Sequence, residues 1–100
     1  MVATVSLGSH IVLNLLPKHD KTQKIRILQE PGSLLVTTGS VYTDFLHEIE
    51  EINVDENLKE DTVVNWEFLG DKEMYRGDQS REIRTSLTFR DVLKVVKVKF

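Results

Sequence analysis

Alternating apolar and polar residues dominate the first half of the chain, in runs short enough for strands and interrupted by turn-forming residues. The run Val2-Ala3-Thr4-Val5-Ser6-Leu7 is rich in β-branched side chains, and after Gly8 and Ser9 a second run, His10-Ile11-Val12-Leu13-Asn14-Leu15-Leu16, ends at Pro17. This predicts two strands joined by a bend at Gly8 and Ser9. A polar connection over residues 18–24 leads into Ile25-Arg26-Ile27-Leu28-Gln29, which resumes the alternation and predicts a hairpin with the second strand. In Glu30-Pro31-Gly32-Ser33, the proline and glycine stand where a type II turn needs them, and the apolar strand Leu34-Leu35-Val36-Thr37 follows. Gly39 marks another turn.

The run Val41-Tyr42-Thr43-Asp44-Phe45-Leu46-His47-Glu48-Ile49 fits a strand or a short helical turn, and periodicity does not choose between them. Residues 50–80 differ in character: acidic, interrupted by Gly70 and Gly77, and only weakly patterned around Val63, Val64, Trp66, Phe68 and Leu69. An inserted, partly mobile loop with a small hairpin is expected there. Order returns over residues 83–90, and Val92-Leu93-Lys94-Val95-Val96-Lys97-Val98-Lys99-Phe100 reads as a closing edge strand whose lysines guard it. Strand count, turn chemistry and the lack of a long amphipathic helix predict an all-β sandwich or open barrel.

Composition narrows the class. One hundred residues, 40% hydrophobic and 29% charged, make one ordinary domain or a piece of one. A net charge of -3 supplies no general basic field for a nucleic-acid backbone. Without cysteine there is no disulfide framework and no cysteine-ligated zinc or iron–sulfur site, which suits a reducing compartment. No long apolar run or basic leader precedes the first strand, so a cytoplasmic or nuclear protein away from membranes is expected.

Candidate chemistry gathers on Arg84-Thr85-Ser86-Leu87-Thr88-Phe89-Arg90. Strand alternation puts Arg84, Ser86, Thr88 and Arg90 on one side and Leu87 and Phe89 on the other. A polar face of this kind is either the solvent side of an antiparallel sheet or the interior of a barrel that holds an anion. The two arginines lie about 20 Å apart along a flat strand, a span from which two inward-leaning guanidinium groups bracket a small dicarboxylate. His47 is the other residue of interest, since non-haem iron oxygenases use two histidines and a carboxylate on one face. The first two ligands of such a triad come from a histidine with an acid two residues later, and none of His10, His19 or His47 is so followed.

Gly32-Ser33-Leu34-Leu35-Val36, Gly39, Tyr42-Thr43-Asp44-Phe45-Leu46-His47 and the arginine, five residues, arginine pattern of residues 84–90 together resemble the C-terminal half of the AlkB family of iron- and 2-oxoglutarate-dependent dioxygenases. Ser6-Leu7-Gly8-Ser9-His10-Ile11-Val12-Leu13 resembles one branch of that family. The likeness covers most of the chain outside residues 50–80. It implies the distal half of a double-stranded β-helix, or jelly roll, with an irregular acidic insertion: a single partial domain over 1–100.

The resemblance also assigns roles. His47 matches the distal histidine ligand of Fe(II), Arg84 the arginine that pairs with the far carboxylate of 2-oxoglutarate, and Arg90 the second arginine, nearer the metal. Ser86 stands where some members have a co-substrate-binding asparagine. The family oxidises N-alkyl groups and related substrates, on nucleic acids or proteins, with release of succinate. Its His-x-Asp pair precedes the strand matched here by residues 2–7, so the chain is expected to be a truncated or alternatively started form, inactive alone. An apolar face left bare by the absent half would then need a protein partner. The alternative is a non-catalytic β-sheet interaction module whose acidic stretch, residues 44–61, recruits a basic partner.

Overall fold

The bend at Gly8 and Ser9 is where the chain passes from one sheet into another. The computed structural model describes residues 2–90, the side chains of Ser40, Tyr42 and Arg90 excepted, and the strand expected over 92–100 lies outside the described residues. Strands β1 (Val2–Gly8) and β2 (Ile11–Pro17) belong to different antiparallel sheets. Gly8 has a φ of 87°, and a Cβ on it would come within 2.5 Å of the Ile83 carbonyl oxygen. The backbone angle and the close approach both require glycine.

The expected hairpin forms: β3 (Ile25–Gln29) pairs antiparallel with β2, Ile11 opposite Gln29 and Leu15 opposite Ile25. At the next turn Gly32 takes a φ of 81°, and the Ser33 N–H donates to the Glu30 carbonyl at 3.0 Å. That brings β4 (Leu34–Thr37) alongside β1. The stretch around residues 41–49 resolves into both of its readings in succession, a helical turn α1 (Gly39–Thr43) and then β5 (Phe45–Glu48), the second neighbour of β2.

Residues 50–80 contain β6 (Val54–Leu58), a 3-10 turn (Trp66–Phe68), α2 (Lys72–Tyr75) and β7 (Gly77–Ser80), with β6 and β7 forming a bulged antiparallel pair. The chain then returns as β8 (Arg84–Arg90) along β1, with Gly8 opposite Arg84 and Val2 opposite Arg90. The described residues are mainly β, in three small sheets ordered β4-β1-β8, β3-β2-β5 and β6-β7.

The segment 50–80 supplies most of one apolar cluster. Leu58, Val63, Trp66, Leu69 and Tyr75 are buried with Val12 and Leu28, which project from β2 and β3 on the side away from β1. The segment also covers the free edge of β3. Asn65 Oδ1 accepts from the Leu28 N–H at 2.9 Å, its Nδ2 donates to the Leu28 carbonyl at 2.8 Å, and the Val64 N–H donates to the Arg26 carbonyl at 2.9 Å. One amide side chain thus imitates a neighbouring strand and satisfies an edge that would otherwise pair with another chain.

A buried charge cluster ties the residue after β7 to β6 and to the chain that follows β5. The Arg81 fork donates to both Asp55 oxygens, at 2.7 and 2.8 Å, and to the Glu50 carbonyl at 2.6 Å. Asp55 is 1% exposed, so a bidentate partner is what makes its charge tolerable there. His10 Nε2 lies 3.2 Å from Asp55 Oδ2 but out of hydrogen-bond alignment, and the His10 ring stands edge-on to Tyr75. Among the described residues no helix is long and apolar enough to cross a membrane.

Candidate functional site

Arg84, Ser86 and Thr88 come from alternate positions of β8 and line one cavity of about 160 Å³. Its walls include Thr4 of β1, Gln29 of β3, Thr37 of β4 and His47 of β5, so the space lies between the two three-stranded sheets. Along this face Arg84 is half-buried, while Ser86 and Thr88 line the cavity at exposed positions. Leu87 and Phe89, on the other side, are 47% and 38% exposed. Beyond Arg84, both sides of this strand meet solvent. The volume falls below the roughly 300–1,000 Å³ of pockets that enclose drug-sized ligands, and suits a small ion or acid.

Arg84 enters the cavity because of what stands opposite it. Gly8, its register partner, has no side chain, and the guanidinium lies toward the next inward position of β1, where Nε donates to Ser6 Oγ at 2.8 Å. Burial, and next the charge of Arg81, push the Arg84 guanidinium below its ordinary range. Among the described residues no carboxylate comes within ion-pair distance of it. A half-buried cation beside a cavity, with its charge uncompensated, attracts an anion.

Two further groups look for partners. Gln29 is 4% exposed, and its Oε1 accepts no hydrogen bond. Thr37, 6% exposed, reaches only the Val2 carbonyl, at 3.5 Å. Gln29 and Ser6 were not singled out in the sequence; the signal that marks Ser6 is that Thr4 and Ser6 keep the inward face of β1 polar, as Ser86 and Thr88 do on β8.

His47 lines the same cavity but is exposed, and its Nε2 lies 3.1 Å from the Val41 carbonyl. A carbonyl only accepts, so this hydrogen bond is made through a proton on Nε2. Strand register sets His47 opposite Leu15, away from the Gly8 bend that holds Arg84. The backbone of Arg90 is at that far end too, opposite Val2, and its side chain lies outside the described residues. No group of three His, Cys, Asp or Glu side chains able to hold a metal occurs among the described residues. The donor set present does not fit a two-histidine, one-carboxylate iron centre: it offers a single imidazole whose Nε2 is engaged.

The acidic stretch is partly committed within the molecule. Glu50 pairs with Lys24 at 2.9 Å and accepts from Asn14, Asp55 is held by Arg81, and Glu60 pairs with Arg76 at 3.0 Å. The hydrogen bond from Lys24 keeps the Glu50 carboxyl below the usual carboxylate range. No family model and no solved structure matches the chain.

Proposed function

We propose that the chain is the acid-binding half of an AlkB-like, iron- and 2-oxoglutarate-dependent dioxygenase, built on the distal part of a double-stranded β-helix and without turnover of its own. The observation that carries this reading is the meeting of His47, Arg84 and Ser86, drawn from two strands 37 to 39 residues apart in sequence, on one cavity between sheets. In it Arg84 takes one carboxylate of 2-oxoglutarate, Ser86 contributes a hydroxyl along the same wall, and Arg90 belongs to the end nearer His47. Within that reading, residues 6–13 resemble the branch of AlkB homologue six. Because the donor set does not fit iron, no oxidative step is assigned to these residues. Choice of a nucleic-acid or protein substrate belongs to the full-length parent.

The test is a titration of the whole chain with 2-oxoglutarate, followed by amide chemical shifts. Binding near 1 mM is expected, with shifts confined to residues around the cavity, and Arg84→Ala should weaken it by at least roughly tenfold, the loss of a charged hydrogen-bonded pair. Equal binding by the variant overturns the reading. With Fe(II), 2-oxoglutarate and oxygen, succinate formation should stay at the protein-free background; a clear rate overturns the reading of a chain without turnover of its own.

A further inference from the structure

Ser6 is fully buried, at 0% exposure, in the middle of β1, and its backbone is held from both sides. Ser86 of β8 is its register partner on one side; on the other its N–H donates to the Ser33 carbonyl at 3.0 Å and its carbonyl accepts the Gly32 N–H at 2.6 Å. The hydroxyl is therefore a fixed post, and the group it meets is Arg84 Nε, at 2.8 Å. A guanidinium offers a carboxylate two edges, the side formed by Nε with one Nη and the end formed by the two Nη groups. Nε is occupied, so the edge left for a ligand is the end.

We propose that Ser6 is the positioning residue of the carboxylate site: it holds Arg84 by Nε so that the two Nη groups receive one carboxylate end-on. This rests on the reading of the cavity as an acid site, and names the residue that prepares it. Recognition through one carboxylate makes the class of ligand small carboxylic acids at large. The far carboxylate is gripped, and the 2-keto group of 2-oxoglutarate adds nothing from this chain's own residues. Glutarate and 2-oxoglutarate should bind within about threefold of each other, a difference of less than one ordinary hydrogen bond.

The direct readout is the Arg84 Nε–H proton, observed by proton–nitrogen NMR on the whole chain. It should be protected from solvent exchange in the wild type and in Ser6→Thr, which keeps the hydroxyl, and lose protection in Ser6→Ala. Glutarate affinity should fall roughly tenfold in Ser6→Ala and not fall further when Ser6→Ala is added to Arg84→Ala, because the hydroxyl acts only through the guanidinium. An unprotected Nε–H in the wild type, or an equal loss of affinity from Ser6→Ala with and without Arg84, overturns the inference and leaves the acid-site reading standing. No titration of the wild type by either acid overturns both.

Discussion

The two three-stranded sheets have the same number of strands and opposite fates. The β3-β2-β5 sheet has the β2 and β3 part of its outer side buried under the segment 50–80, with Leu46 of β5 left exposed, and its β3 edge covered by Val64 and Asn65. The β4-β1-β8 sheet exposes Leu7, Leu34, Val36, Leu87 and Phe89 on its outer side. Register aligns these into cross-strand rows, Leu34–Val5–Leu87 and Val36–Ala3–Phe89, with no charged residue among them. Stability should therefore be concentrated on one side of the cavity, and stickiness on the other.

The largest effect that tests this asymmetry is truncation of Trp66. It is 2% exposed, at the centre of the covered side, with the Arg76 guanidinium 5.3 Å above its ring. Trp66→Ala should cost about 3–5 kcal/mol in denaturant unfolding, whereas Phe89→Ala, a loss of comparable size on the bare side, should cost under about 1 kcal/mol because water already reaches the ring. Equal costs would mean that the two sides are equally packed.

Next in size is the edge. Asn65→Ala leaves both the N–H and the carbonyl of Leu28 without partners, and Leu28 is 2% exposed, so water does not readily replace them. A loss of about 2–3 kcal/mol is expected, at about 1–3 kcal/mol for each buried group left unsatisfied, partly relieved by local opening. Amide exchange at Leu28 should accelerate along with it. Asn65→Asp should recover the acceptor for the N–H and not the donor for the carbonyl, and so fall between the wild type and Ala. A cost below about 0.5 kcal/mol for Asn65→Ala would show that this edge is not held by the amide.

The sequence announced the sheets far better than it announced this difference between them. Alternation fixes which residues of a strand share a face, so β1, β2, β3, β4 and β8 were readable from local composition, and Gly8 and Gly32 were readable as turns because a positive φ is a local demand. The cluster around Trp66 was not, since Leu58, Val63, Trp66, Leu69 and Tyr75 come from a strand end, a turn, a 3-10 turn and a four-residue helix and share no period. The Asp55–Arg81 fork escaped for a similar reason: its partners are 26 residues apart and meet only through the β6–β7 hairpin. At the site, Arg84, Ser86 and His47 carry motif and resemblance, but their meeting on one cavity is a property of two sheets stacked together. Gln29 carries no motif at all, and Ser6 stands in the 6–13 resemblance without a role assigned by it.

The smallest expected change in stability falls on the bare side, at Leu34. This side chain is 63% exposed, at one end of the β4-β1-β8 sheet, where among the described residues β4 pairs with β1 alone. Leu34→Lys gives up little burial, so the midpoint of thermal unfolding should move by no more than about 4 °C, as expected for a change of about 0.5 kcal/mol in a domain of this size. Its effect should appear in self-association instead. A charge placed in the Leu34–Val5–Leu87 row interrupts the apolar surface, and a lysine on an edge strand opposes pairing with a second chain. Sedimentation velocity across a concentration series should show the wild type associating and Leu34→Lys shifted toward monomer. If both associate alike, the face exposed here is not what brings copies together; if the variant unfolds far more readily, Leu34 is packed and the contrast between the sheets is weaker than their outer sides suggest.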